Sequence, residues 1–153
     1  LHTGTPIVVN VTGGLQDQCG FSKREYSPDG SGYSNKYLTA EDYVELQSNH
    51  RGTYTDHGKW VKPIFPNNIS LQGSPLTPYI FDDRCSYEDA GDCLLEWYKA
   101  GPKERERCGE LGRQFVLNEG RMTAKHMSES FIKNIDTTFE NWKPREKYTL
   151  EVV

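Results

Sequence analysis

Apolar positions along this chain fall into short runs separated by long polar stretches. The first run, Thr5 to Val11, is β-branched, with Pro6 at its start and glycines after its end. That is the composition of a buried parallel strand. Thr12-Gly13-Gly14 follows at once, and glycine lets the backbone turn sharply because positive φ carries no Cβ penalty. A helix starting near Leu15 would aim free N–H groups and the positive end of its dipole at whatever lies above the strand; phosphate is the usual guest. A second buried strand is predicted from Pro78 to Asp82, built on Tyr79, Ile80 and Phe81. Ser86 then caps a helix, with Asp89 closing the box. Ala90, Cys93, Leu94 and Trp97 recur there at helical spacing and form its buried face. Gly101 ends that helix, and Pro102 opens the next at its preferred first position. Cys108, Leu111, Phe115 and Val116 form the new stripe. Gly112 interrupts it at about 1 kcal/mol relative to alanine, which close approach to a neighbour would explain. A third helix is predicted from Thr123 to Trp142, with Met127, Phe131, Ile135, Phe139 and Trp142 as its buried side, before Pro144 stops it.

Between these runs, residues 19–74 are rich in Gly, Ser, Asn and Tyr, with turn signals at SPDGSG and PNN. Thr39 to Asp42 fits a capping box and predicts a short helix over 39–47. Trp60 to Ile64 reads as a short edge strand, since Pro63 cannot donate to a central ladder. The segment reads as a packed decoration of the domain edge rather than a functional lid.

Strand, turn and helix, then strand and helices, predict an α/β fold with a parallel sheet. The expected organisation is one partial domain over 1–142, with an insertion at about 19–74 and a tail at 143–153. Two strands are few for such a sheet. A piece lacking its remaining strands is expected to expose an apolar patch and to cover it by forming a homodimer or adding strands.

Composition narrows the function classes. The net charge of −4 supplies no basic field for nucleic acid or an anionic membrane surface, and no apolar run is long enough to span a bilayer. Cys19, Cys85, Cys93 and Cys108 lack C-x-x-C spacing, so no zinc site is expected, and without a secretory signal in the sequence free thiols are expected rather than two disulfides. His50 and His57 have no clustered acid or cysteine beside them, so no metal site is expected. Arg51, Lys59 and Lys62 could neutralise phosphate, but solvated charge is the default. Tyr33, Tyr54 and Trp60 could stack on a sugar ring or simply pack. Ser86 lacks a nucleophile context, and Glu104 to Arg107 reads as a solvated helix face.

The run LHTGTPIVVNVTGGLQD resembles the donor-site segment of glycosyltransferases of the GT-B fold, of the glycogen-synthase-like retaining type. PLTPYIFDD through ERERCGELGRQFVL resembles the region that follows it, and IDTTFENWKPREKYTLE resembles, more loosely, the final helix and tail of phage and bacterial members. The resemblance covers residues 1–18 and roughly 75–150. It implies a Rossmann-like sheet fragment forming the C-terminal, donor-binding half of a cytoplasmic enzyme. Thr12, Gly13 and Gly14 would hold the diphosphate of a nucleotide-sugar donor. Gln16, Asp17 and Asp83 are further candidate contacts, with Asp17 also readable as a first-turn acid and Asp83 as a turn cap. The Asp82-Asp83 pair, at a strand's carboxyl edge, could take a metal or a sugar hydroxyl. The glutamate pair that the family carries upstream of this segment is not in the chain, so no catalytic residue is assigned. The implied partners are the donor and an N-terminal domain; no cofactor is implied, and the chain is expected to be inactive alone. The rival reading is a non-catalytic binding or structural domain mediating protein contacts; a secreted disulfide-linked module is a weaker third.

Overall fold

The β-branched run after Pro6 extends as strand β1 (Ile7–Asn10). It is followed by a 3-10 helix over Gly13–Cys19, then strands β2 (Ser22–Tyr26) and β3 (Tyr33–Tyr37) and helix α1 (Ala40–Leu46). Strands β4 (Val61–Ile64), β5 (Asn68–Leu71) and β6 (Phe81–Arg84) come next, then helix α2 (Tyr87–Gln114) with a π turn at Phe115–Glu119, and helix α3 (Ala124–Asn141). The computed structural model describes residues 1–27, 29, 31–119 and 122–145. The chain is mixed α/β and forms two compact units, Leu1–Gly120 and Arg121–Val153, so the division falls inside the single domain expected over 1–142.

In the first unit β1 pairs in parallel with β4, Ile7 opposite Val61 and Asn10 opposite Ile64. Pro63 lies opposite Val9, and among the described residues this sheet has two strands, so the missing N–H faces no third one. Because the sheet stops at two strands, the β1 side chains are half-buried rather than buried. The other pairings are antiparallel: β2 with β3, and β5 with β6. This corrects the Pro78–Asp82 expectation. The strand there is β6, Phe81–Arg84, antiparallel to β5 rather than part of a parallel sheet, and Tyr79, Ile80 and Phe81 are exposed. A two-stranded ribbon without a covering layer within the unit buries neither face.

The segment 19–74 is not a decoration of the edge. It supplies β4, the strand that β1 pairs with among the described residues, and it supplies Cys19, Phe21, Trp60, Val61 and Ile64 to the core. Trp60 is 4% exposed. Its ring stacks on Phe115 at 4.6 Å between centroids, and its Nε1 donates to the Gln18 carbonyl at 2.9 Å. Tyr37 closes the cluster edge-on against Phe115. Fully buried Asn49 holds the loop that follows α1: its Nδ2 donates to the Tyr54 carbonyl and its Oδ1 accepts from the Tyr54 amide.

The capping box of α1 forms as expected, Thr39 accepting from the Asp42 amide while Asp42 accepts from the Thr39 amide. Beside it, Lys23 bridges Asp42 at 2.6 Å and Glu25 at 2.9 Å, and Glu25 also meets Lys36. Ser86 caps α2 by accepting from the Asp89 amide. Gly101, at φ 79°, breaks α2 where a stop was expected, and Pro102 restarts it. Of the expected buried face, Trp97 is buried, Ala90 and Cys93 are half-buried and Leu94 is exposed. A Cβ on Gly112 would lie 2.8 Å from Leu1 Cδ2 and from Trp60 Cβ, so close approach accounts for that glycine.

The second unit, as described, is one helix. Thr123 caps α3 by accepting from the His126 amide. Met127, Phe131, Ile135, Phe139 and Trp142, expected to be buried, are all exposed, because the described residues of this unit supply no second element to cover the stripe. The tail expected at 143–153 lies outside the described residues from 146 onward.

Candidate functional site: the Thr12-Gly13-Gly14 turn

The turn sits at the carboxyl end of β1. Thr12 is extended, at φ −148° and ψ 150°, and its carbonyl accepts from the Leu15 amide at 3.1 Å. Gly13, at φ 47°, adopts the left-handed conformation that glycine tolerates best. Gly14 is not in that region. A Cβ on either glycine would meet nothing within 4 Å. Gly14 is therefore demanded neither by backbone conformation nor by packing. Among the described residues no protein acceptor engages the Gly13 or Gly14 amide, and Thr12 makes no side-chain cap. Two helix-start donors are thus open to solvent or to a ligand.

The Thr12 hydroxyl donates instead to Asp83 Oδ2 at 2.8 Å, across 71 positions of sequence. Asp83 sits on β6 opposite Ile69, so it is a strand residue and not a turn cap. The fold thus brings together two candidates that the sequence placed at separate strand ends. It also puts a carboxylate beside the turn, which disfavours a phosphate held by the Thr12 hydroxyl and leaves the glycine amides as the anion donors. Asp83 itself is an acceptor suited to a sugar hydroxyl.

Gln16 and Asp17 serve differently. Gln16 is buried, and its Oε1 accepts from the Asn49 amide at 2.7 Å, so its carboxamide faces the protein. Asp17 lies beyond the first turn and cannot be a first-turn acid. Partial burial pushes its carboxyl pKa up, and its charge adds to the burial that holds the Tyr43 phenol above its ordinary value. Cys19, buried behind the turn, is pushed up to about 12 by burial first and by Asp17 second.

The sequence reading did not single out Asn10 for this site. Its Oδ1, two residues before Thr12, is buried and has no hydrogen-bond partner among the described residues, and such an orphan acceptor costs on the order of 1–3 kcal/mol. No sequence signal separates it from other strand-end polar residues.

Other candidates are committed elsewhere. Trp60 is in the core, and Tyr54 is tied to Asn49 through its backbone. Tyr33 is exposed on the hairpin, with Arg24 5.0 Å over its ring. Lys62 pairs with Glu96 and lies over the Trp97 ring. Arg107 forks onto Glu104, which it pushes down to about 2. Two clefts lie away from the turn: one of about 600 Å³ lined by Thr3, Lys103, Glu106 and Glu110, and one of about 310 Å³ lined by Lys59, Glu96, Glu104 and Arg107.

Among the described residues no group of three or more His, Cys, Asp or Glu is arranged to hold a metal, and the four cysteines are free. No helix among them is long and apolar enough to cross a membrane. Compared with protein-family models, with curated proteins and with solved structures, the chain matches none.

Proposed function

We propose that this chain is the donor-binding part of a nucleotide-sugar-dependent glycosyltransferase of the GT-B type, holding the donor diphosphate on the Gly13 and Gly14 amides. One observation carries the proposal: a glycine with no conformational or packing reason, Gly14, stands at the end of a parallel strand with its amide and its neighbour's unpartnered. Backbone donors on a helix start suit phosphate oxygens, and each charge-assisted bond is worth about 1.5–3 kcal/mol. Asp83 would release Thr12 or accept from a sugar hydroxyl. Transfer needs donors that hold the leaving diphosphate as its charge develops and an acidic group and second domain that this reading assigns elsewhere. The chain alone therefore binds donor without transferring sugar. Its four free cysteines suit the cytoplasmic setting that the proposal carries.

Calorimetric titration with UDP-, ADP- and GDP-sugars tests the reading. Saturable heat with one of them, competed by inorganic diphosphate, is the expected result; no heat across the panel overturns it. The position of the turn outside the clefts described above favours a second reading, a non-catalytic domain that binds protein. Under that reading the same titrations are flat.

A further inference from the structure

We propose that helix α3 pairs antiparallel with α3 of a second copy of this chain, burying its Met127, Phe131, Ile135, Phe139 and Trp142 stripe. The pattern is self-complementary. Four of these residues recur every fourth position, and a two-fold axis through position 133 sets Met127 against Phe139 and Phe131 against Ile135. The same axis sets the small Ala124 against the large Trp142. Lys125, Glu129, Lys133, Asp136 and Glu140 all lie roughly 100° or more around the helix from the stripe's centre, so no charge is trapped in the contact.

The surface available comes near the size at which specific dimers begin. Phe131, Phe139 and Trp142 are 67%, 81% and 66% exposed. At roughly 150–250 Å² per aromatic side chain, two helices have on the order of 600–1,000 Å² of aromatic surface to bury. Met127, Ile132 and Ile135 are exposed as well and extend the patch. The total then approaches the roughly 1,200 Å² at which specific interfaces begin. A membrane surface is the poorer fit for the same stripe. Interfacial helices carry Lys and Arg on the polar face, whereas α3 sets Glu129, Asp136 and Glu140 against Lys125 and Lys133.

Sedimentation equilibrium of the whole chain, from low-micromolar to submillimolar concentration, reads the pairing. The expected result is a monomer–dimer equilibrium abolished by Ile135→Glu and unchanged by Lys133→Glu on the opposite face. A chain monomeric throughout, or a dimer indifferent to Ile135→Glu, overturns the proposal. Because Ile135→Glu could also melt an unsupported helix, the double variant Ser128→Cys, Thr138→Cys supplies an independent readout. Oxidation followed by peptide mapping should give an interchain link between positions 128 and 138. Links confined to 128–128 and 138–138, or no interchain link, refute the antiparallel pairing.

Discussion

Trp60 is where the segment 19–74 and helix α2 become one core, and replacing it tests that claim. It is 4% exposed, packed against Phe115 and Tyr37 and close to the backbone at Gly20, Gly58 and Gly112. Truncation to alanine at such a site costs about 3–5 kcal/mol in transfer and cavity. The stacked ring pair adds roughly 0.5–1.5 kcal/mol, and the Gln18 carbonyl loses the indole N–H as donor. A small domain holds about 5–15 kcal/mol in all, and the short two-stranded sheets here point to the lower end. Trp60→Ala should therefore leave the first unit largely unfolded at 25 °C. Trp60→Phe keeps a ring and loses the indole N–H, so it should fold with a penalty of about 1–3 kcal/mol. In urea, with a slope of about 1–3 kcal/mol/M, that lowers the midpoint by roughly 1 M. Far-ultraviolet circular dichroism during urea titration gives both numbers. If Trp60→Ala folds with a loss below about 1.5 kcal/mol, the segment is an independent decoration and the shared-core account is wrong.

The remaining predictions address the turn, the ion pairs and the thiols. Gly14→Ala should leave stability unchanged or raised by about 0.4–1 kcal/mol, since its Cβ meets nothing, while weakening donor binding about tenfold or more; equal affinity in calorimetry would remove Gly14 from the site. Gly13→Ala, at positive φ, should by contrast cost about 1–2 kcal/mol by urea titration. The carboxyls of Glu25 and Asp42 are held below their ordinary pKa, chiefly by Lys36 and Lys23 respectively. Their contribution is therefore complete above the unfolded values of about 4 and is lost as pH falls through the lower folded values. The melting temperature should drop between pH 6 and pH 3, and by less in Lys23→Met; identical drops would show that the network is idle. Native thiol labelling should be slow at buried Cys19 and Cys108 and faster at half-buried Cys85 and Cys93. Fast labelling at Cys19 would contradict its burial.

Much of the local structure was legible in the sequence because its causes are local. Thr39 and Asp42, Ser86 and Asp89, and Thr123 mark their helix starts by capping chemistry that acts within one turn. Gly101 and Pro102 mark the break in α2, and the β-branched run after Pro6 becomes β1. The glycine turn was legible as a conformation, since Gly13 takes the positive φ that a sharp turn after a strand requires.

Tertiary structure alone decided the partners of each element. That β1 pairs with β4 depends on a chain return across some fifty polar-rich residues, and no local pattern records it. The apolar run at Tyr79 to Phe81 looked buried, yet burial depends on what lies opposite, and among the described residues β6 pairs with β5 alone. Gln16 and Asp83 show the same division at the site: Asn49 draws one inward, and the Thr12 hydroxyl reaches the other across the fold. Side-chain periodicity determines which face of an element is apolar. Whether that face is covered depends on the other elements present, and α3, the one helix among the described residues of its unit, shows its stripe uncovered.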